Sequence, residues 1–308
     1  MRSLVYAPYA ETIDVPNVVV DGSANRSTVL ALSHWPGTSC PDELRADLSA
    51  EMAFRYLDRG ADLHGDARFV TNNHFDEDGV VSMFTLIDPD AALAQRDFLI
   101  DVARVGDFGR FHDRDAARAS MLISAWANQT GSRDAYRAVL PLMPRLRDAL
   151  EEHRDLWGPE DERLRKSEDA IATGRITIAE VPELDLAIVT APHDLEPHEM
   201  AVHNATTRLR VLTRRGRHLG LRYRYESWIL LQSHRPLPRV DLAGLAVRLT
   251  ALEPNGVAWS ADPIDDLTPQ LTPTGDGASD LDADTFEAEV TGWLLAADET
   301  WSPYASEP

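Results

Sequence analysis

In the first 110 residues, short apolar runs alternate with segments of helical spacing, and this alternation restricts the fold more than any other feature of the chain. The apolar runs cover residues 18–20, 27–32 and 67–70, and the helical segments cover 41–57, 80–87 and 90–103. Strands that alternate with helices form a parallel sheet that the helices cover. The sequence therefore predicts an α/β fold with a parallel sheet flanked by helices.

The rest of the chain predicts a different arrangement. Residues 111–170 have helical spacing, whereas residues 175–308 mix helices with short strands, one of them at 228–232. A chain of 308 residues is long enough for two ordinary domains. We therefore expect a metal-binding α/β domain with a helical extension at 1–170. We expect a smaller, mixed α+β substrate-binding domain at 175–308.

The run 67–70 leads into a segment that places one imidazole and two carboxylates at alternate positions, His74-Phe75-Asp76-Glu77-Asp78-Gly79. Alternate residues of an extended segment point to the same side. His74, Asp76 and Asp78 are therefore predicted to face one point, and this donor set suits Mn²⁺, Mg²⁺, Fe²⁺ or Zn²⁺. An EF-hand is excluded, because its twelfth position would be Thr85. A polar turn that caps the next helix is the alternative.

Further candidate ligands follow the other apolar runs. The run 27–32 leads to Ser33-His34, and the run 18–20 ends at Asp21-Gly22. Asp107 lies in a short glycine-flanked segment after a predicted helix, and His112 competes with it for the same role. A residue of a polar turn is the alternative for each of these positions.

The segment from His74 to Ser82 resembles the first motif of the DHH phosphoesterases, His-x-Asp-x-Asp-Gly-x-x-Ser. The resemblance implies an uncharacterised bacterial branch of that superfamily. It also implies a two-metal site, usually filled by Mn²⁺, between an α/β domain and a smaller C-terminal domain. A further aspartate bridges the metals in that superfamily, and Asp107 is the candidate for this role. The Asp-His-His triplet and the Gly-Gly-Gly-His motif are absent from this sequence, and His34 is the candidate substitute for a histidine of the triplet.

Arginine is concentrated between residues 203 and 239. This window holds nine arginines and one acidic residue, in a chain with a net charge of −21. Its alternating pattern predicts a β-hairpin with arginines on one face. Guanidinium groups bind phosphate in a bidentate manner. The predicted substrate-binding residues are Arg208, Arg210, Arg222, Arg224 and His203. An exposed strand face paired with acidic surface is the alternative.

The composition excludes several classes of protein. No stretch approaches the roughly 18 uncharged apolar residues that a membrane span needs. A single cysteine, Cys40, excludes an internal disulfide framework and favours the cytoplasm. The acidic net charge argues against general binding to duplex DNA. The expected partner is a phosphorylated small molecule or a short oligonucleotide, and a homodimer is left open.

These observations lead to one functional hypothesis and two alternatives. The hypothesis is a metal-dependent phosphoesterase that hydrolyses a phosphodiester or nucleotide-type substrate with a metal-activated water. His74, Asp76 and Asp78 would hold Mn²⁺, or alternatively Mg²⁺, Asp107 would bridge, and His34 would protonate the leaving oxygen. One alternative is a non-catalytic relative that binds a nucleotide or a protein partner. The other is a metal-dependent hydrolase that acts on amides.

Overall fold

The computed structural model describes residues 4–59, 63–129 and 134–305. The chain divides into two compact units. The first consists of Met1–Glu162 with Leu230–Arg235, and the second consists of Arg163–Ile229 with Pro236–Pro308. The main boundary thus lies between residues 162 and 163, inside a helix and eight residues before the predicted end of the first domain at 170, and a short segment from the second half of the chain belongs to the first unit. Among the described residues, no helix is long and apolar enough to cross a membrane.

The described part of the first unit is built on a parallel sheet with the strand order β1-β4-β2-β3. Its strands are β1 (Val5–Tyr6), β2 (Asn17–Val20), β3 (Thr28–Leu32) and β4 (Phe69–Thr71). Its α-helices are α1 (Ser49–Arg59), α2 (Glu77–Ile87), α3 (Pro89–Leu93), α4 (Arg96–Phe108), α5 (Arg114–Gln129), α6 (Ala135–Val139) and α7 (Leu146–Glu152), and α8 (Arg154–Ala172) crosses the boundary. Short 3-10 helices lie at Tyr9–Glu11, Asp42–Leu44 and Leu140–Arg145.

The apolar runs explain this sheet. The three valines of β2 are fully buried, as expected for a strand with a neighbour on each side and both faces covered. Asp76 caps the next helix by accepting a hydrogen bond from the Gly79 amide at 2.8 Å, so α2 begins at Glu77, before the predicted Val80. The predicted α/β class is confirmed.

The second unit contains a mixed sheet with the strand order β10-β11-β8-β7-β6-β5 in its described residues. The strands are β5 (Thr177–Val181), β6 (Leu186–Ala191), β7 (Arg210–Arg215), β8 (His218–Tyr223), β10 (Trp259–Ala261) and β11 (Gln270–Pro273), and β9 (Arg239–Val240) pairs separately with β12 (Glu299–Trp301). The α-helices are α9 (Glu199–Ala205), α10 (Ala243–Leu252) and α11 (Ala283–Ala296), with 3-10 helices at Pro182–Leu184 and Tyr225–Ser227. Apolar residues of α10 and α11 share one buried core with the sheet.

Two predicted elements differ from the structure. The predicted helix 41–57 is replaced by a 3-10 helix and by α1, because Arg45 is extended (ψ 134°) and interrupts the helical path. The predicted strand 228–232 is wrong. The amide of Leu230 donates to the carbonyl of His34 at 2.8 Å, and residues 225–227 form a 3-10 helix.

Candidate metal centre

Three neighbouring strands bring predicted ligands to one edge of the sheet. Asp21 follows β2, His34 lies two residues after β3, and the segment 72–78 follows β4. β2 lies between β4 and β3, and all three run in parallel. The carboxyl ends of such strands share one edge, which is where α/β sheets bind ligands. The last turn of α4 adds Asp107.

Four residues, Asp21, His34, Asp78 and Asp107, form what we call the enclosed group. One ligand atom of each lies within 4.8 Å of those of the others. His34 Nε2 is 3.4 Å from Asp21 Oδ1 and 3.5 Å from Asp107 Oδ2. Ligands about 2.1 Å from one ion at tetrahedral angles lie about 3.4 Å apart. The spacing therefore suits a shared cation, and the side chains of this group are almost completely buried.

Three residues, Asp21, His74 and Asp76, form the outer group. Their ligand atoms also lie within 4.8 Å of one another. His74 Nε2 is 2.6 Å from Asp76 Oδ2 and 3.3 Å from Asp21 Oδ2. The indole ring of Trp35 stacks on the His74 imidazole, with 4.8 Å between the ring centroids. The side chains of His74 and Asp76 are 28% and 27% exposed, so this group reaches solvent whereas the enclosed group does not.

Asp21 belongs to both groups, because its Oδ1 faces His34 and its Oδ2 faces His74. A carboxylate that directs one oxygen to each of two positions can bridge a pair of cations about 3.5–4 Å apart. Its backbone has a left-handed conformation (φ 47°), which non-glycine residues adopt rarely and which is often found at functional sites. Asp107 belongs to the enclosed group alone, so Asp21 is a second candidate for the bridging role predicted for Asp107.

The orientation of the His34 ring is fixed by a hydrogen bond from its Nδ1. Its Nδ1 is 2.8 Å from the backbone carbonyl oxygen of Asp47. A carbonyl only accepts hydrogen bonds, so Nδ1 carries the proton and Nε2 turns its lone pair towards the carboxylates. Metal-binding histidines commonly have this arrangement. Burial lowers the pKa of His34, which keeps the ring neutral. His34 therefore has the geometry of a ligand, because its side chain is buried and its N–H is already used, and its role as a proton donor stays a prediction.

Asp78 is held by the first turn of α1. Its Oδ2 accepts a hydrogen bond from the amide of Ser49 at 2.8 Å, and its Oδ1 accepts one from the amide of Ala50 at 2.6 Å. The hydroxyl of Ser49 donates to Asp21 Oδ1 at 2.9 Å. The amino end of a helix favours negative charge, so α1 positions two ligands of the enclosed group. Sequence analysis missed Ser49, because no local pattern places this helix beside the strand ends.

The carboxylates of the two groups lie so close together that their negative charges repel one another. Burial, followed by the charges of neighbouring aspartates, raises the pKa values of Asp78 and Asp107 well above their usual range. The same causes raise the pKa of Asp76 to about 7. Burial opposes the ionisation of Asp21, but the contact with His74 and the nearby His34 lower its pKa to about 2. Mutual repulsion of this kind is relieved by a bound cation.

Two buried carboxylate oxygens provide a test of whether a cation fits. Asp21 Oδ2 and Asp107 Oδ2 accept no hydrogen bond of good geometry from the described residues. A buried oxygen without a donor is costly and rare in proteins. A divalent cation between the aspartates and histidines would satisfy both oxygens, and oxygen and imidazole nitrogen are the donors that such cations prefer. The residues present therefore fit a divalent metal.

Glycine allows the segment after β4 to pack tightly. A Cβ atom added to Gly79 would lie 2.4 Å from Tyr136 Oη, 2.5 Å from Asn72 Nδ2 and 3.0 Å from Asp76 Oδ1. Tyr136 Oη and Asn72 Nδ2 are buried and have no hydrogen-bond partner among the described residues. These two donors beside the outer group were not identified from the sequence, because Tyr136 lies far along the chain and no motif marks it.

His112 is not part of the centre. Its ring is 77% exposed, and its Nδ1 is 3.0 Å from Asp101 Oδ1. The backbone amides of His112 and Asp113 donate to Asp101 Oδ2, each at 2.8 Å. His112 therefore belongs to the turn between α4 and α5, and Asp107 is the residue of this region that joins the enclosed group.

The arginine-rich hairpin forms as predicted, because β7 and β8 pair in antiparallel register. The prediction that its arginines share one face is wrong. Arg210 is paired with Tyr223, and Arg222 is paired with Val211, so the two arginines point to opposite faces of the sheet. A period of two predicts the hairpin but does not tell which of two alternating arginines is buried.

The arginines proposed for substrate binding have partners inside the second unit. Arg210, which is buried, donates to the carbonyls of Leu184 and Pro238. The remaining contacts join Arg224 to Glu226 and the carbonyl of Thr206, Arg208 to Glu180, Arg222 to Glu199, and His203 to Glu199. These contacts account for the arginines as structural groups of the second unit. Substrate binding by these residues stays a prediction.

Residues 2–305 match the model of a family of unknown function (DUF6687), so the chain belongs to this family. Neither a curated protein nor a solved structure matches the chain.

Proposed function

We propose that this protein is a metal-dependent phosphoesterase that hydrolyses a phosphodiester or a nucleotide-type substrate. The observation that carries this proposal is the shared position of Asp21 between two groups of ligands. Each group adds one imidazole and at least one further carboxylate to Asp21. Pairs of divalent cations that share a carboxylate are typical of enzymes that displace groups at phosphorus.

Each of the two groups of residues would hold one cation. His34, Asp78 and Asp107 would hold one cation with Asp21, and His74 and Asp76 would hold the other. Mn²⁺ suits these nitrogen and oxygen donors, and Mg²⁺ is the alternative. Two bound cations would activate a water as the nucleophile and would offset the negative charge that develops on the phosphoryl oxygens.

The difference in exposure indicates where the substrate enters. The enclosed group is buried and surrounded by protein donors, whereas His74 and Asp76 reach solvent. The outer group can therefore keep a coordination position open for a phosphoryl oxygen or water, which is the feature that separates catalytic from structural metal sites. Trp35, stacked on His74, holds the imidazole plane at this opening.

The decisive experiment combines metal analysis with turnover. The metal-free protein is titrated with Mn²⁺, and hydrolysis of bis(p-nitrophenyl) phosphate and of a short oligonucleotide is measured with and without Mn²⁺. Asp78→Asn and His74→Gln remove one ligand from each group with little change in volume. Asp14→Asn is the matched control, because Asp14 is 76% exposed and pairs only with Arg26 in the contacts of the described residues.

We expect Mn²⁺-dependent turnover in the wild type and in Asp14→Asn, and loss of turnover in both ligand variants. Binding of Mn²⁺ without turnover of any phosphate ester would favour the non-catalytic relative. Turnover of an amide substrate in place of a phosphate ester would assign the same centre to an amidohydrolase. Unchanged Mn²⁺ binding in Asp78→Asn and in His74→Gln would refute the metal centre itself.

A further inference from the structure

The end of one loop and the first turn of α1, residues 47–50, contact three of the four residues of the enclosed group. The carbonyl oxygen of Asp47 accepts the hydrogen bond from His34 Nδ1. Ser49 and Ala50 donate their backbone amides to the carboxylate of Asp78, and the hydroxyl of Ser49 donates to Asp21. The position of residues 47–50 therefore sets the direction of His34 Nε2 and the places of two carboxylates.

This loop is itself held by a distant part of the chain, Leu230–Arg235, which we call the return segment. The side chain of Asp47 accepts hydrogen bonds from the amides of Gln232 at 2.5 Å and Ser233 at 2.9 Å, through the same atom, Oδ1. The amide of Leu230 donates to the carbonyl of His34 at 2.8 Å. The return segment thus donates a hydrogen bond to the backbone of His34. It also holds the side chain of Asp47, the residue whose carbonyl orients the His34 ring.

The return segment is anchored in the first unit and is continuous with the second unit at both ends. Leu230 and Leu231 are 8% and 4% exposed, so they anchor it in the first unit. The residues that flank it in the chain, Ile229 and Pro236, belong to the second unit. The segment is therefore covalently continuous with the second unit at both ends and is hydrogen-bonded to His34 through the amide of Leu230.

We propose that Asp47, held by the return segment, is a positioning residue that sets the affinity of the enclosed group for a divalent cation. This inference rests on the proposed metal centre. Its physical basis is that Asp47 belongs to neither ligand group but contacts a residue that does. Loss of a group that orients a metal ligand typically lowers metal affinity by about 10- to 100-fold.

Two substitutions separate positioning from charge. Asp47→Ala removes the acceptor of both amides, whereas Asp47→Asn removes the negative charge but keeps an oxygen at the same place. Asp42→Ala is the matched control, because Asp42 lies nearby in the chain, in the 3-10 helix Asp42–Leu44, with a side chain that is 90% exposed. The Mn²⁺ dissociation constant of each variant is measured by electron paramagnetic resonance, and the tautomer of His34 is read from the ¹⁵N shifts of its ring in the metal-free protein.

We expect Asp47→Ala to weaken Mn²⁺ binding by about 10- to 100-fold and to change the His34 tautomer. We expect Asp47→Asn and Asp42→Ala to bind Mn²⁺ as the wild type does. Equal weakening in Asp47→Ala and Asp47→Asn would assign the effect to charge and overturn the inference. If Asp47→Ala does not fold, Ser233→Pro decides, because it removes one amide donor and leaves Asp47 intact; unchanged affinity in that variant would overturn the inference.

The failure of this inference is distinguishable from the failure of the proposed function. Asp78→Asn is measured alongside. If Asp78→Asn abolishes binding at one Mn²⁺ position while Asp47→Ala binds normally, only the positioning role fails. If Asp78→Asn also binds normally, the metal centre fails and the positioning role fails with it.

Discussion

Replacement of Asp107 by asparagine should stabilise the metal-free protein. The Asp107 carboxylate is buried beside other aspartates, and its Oδ2 accepts no hydrogen bond of good geometry from the described residues. Asparagine has the same shape without the charge. A buried acceptor without a donor costs about 1–3 kcal/mol, and more when it is charged, so asparagine removes the part of this cost that comes from the charge, together with the repulsion from neighbouring carboxylates. We expect the free energy of unfolding of metal-free Asp107→Asn to exceed that of the wild type by about 1–3 kcal/mol at pH 8.

The pH dependence of this difference identifies its cause. The pKa of Asp107 is raised in the folded protein, mainly by burial and then by Asp78 and Asp21. Between the unfolded pKa, about 3.9 for aspartate, and the raised value, the folded state binds more protons than the unfolded state. The stability of the wild type therefore falls as the pH rises through this window. The advantage of Asp107→Asn should be absent near pH 4 and should grow towards pH 8.

Mn²⁺ should reverse the order of the two proteins. A cation present at about 100 times its dissociation constant adds about 2.7 kcal/mol to the protein that binds it, and Asp107→Asn has lost one ligand. Thermal unfolding with and without Mn²⁺ is the measurement, and 1 kcal/mol corresponds to about 2–4 °C for a domain of this size. If Asp107→Asn were less stable than the wild type in the absence of metal at every pH, the argument from uncompensated charge would be refuted.

Three further outcomes are expected. Mn²⁺ binding should release more protons at pH 6 than at pH 9, because the pKa of Asp76 is raised to about 7, which leaves this carboxyl mostly protonated only at the lower pH. Calorimetry in buffers of different ionisation enthalpy measures this release, and an equal release at both pH values would contradict the prediction. Gly79→Ala should weaken Mn²⁺ binding by displacing Asp76, whereas a Cβ on Gly158 would meet its nearest atom at 3.8 Å, so binding by Gly158→Ala should be unchanged; equal binding by the two variants would argue against close packing at Gly79. Arg239→Ala should lower the free energy of unfolding by more than about 3 kcal/mol, because this buried side chain donates to three loop carbonyls and a hydroxyl. Denaturant unfolding measures the loss, and a loss smaller than about 1 kcal/mol would show that the arginine is not structural.

Local patterns in the sequence predict the strands and the first ligands of the centre, because both depend on neighbouring residues. The valines of β2 and the alternation of His74, Asp76 and Asp78 are visible without any knowledge of tertiary structure. The bridging position of Asp21 is not visible in this way. It depends on β2 lying between β4 and β3, and a parallel sheet can order its strands in several ways that one sequence does not distinguish.

The residues that position the ligands are even harder to predict from the sequence. Asp47 and Ser233 are separated by 186 positions in the chain, and no periodic pattern links them. The arginine hairpin shows a related limit. Alternation predicts its strands, but the long apolar stem and five donors of arginine suit it to binding carbonyl oxygens inside a protein as well as phosphate outside it. Arg210 binds two carbonyl oxygens inside the protein.

The contrast between the two ligand groups bears on which cation takes part in chemistry. The enclosed group has four protein ligands and is almost without solvent access, so a cation there has little room for an exchangeable water. The outer group has three protein ligands and is open to solvent, so its remaining coordination positions are available to water and substrate. Asp21 belongs to both groups, so a cation held by the enclosed group would draw charge from one of its oxygens and change the donor strength of the other. Under the proposed function, a cation held by the enclosed group would therefore act mainly on the properties of a cation held by the outer group, where water and substrate would bind.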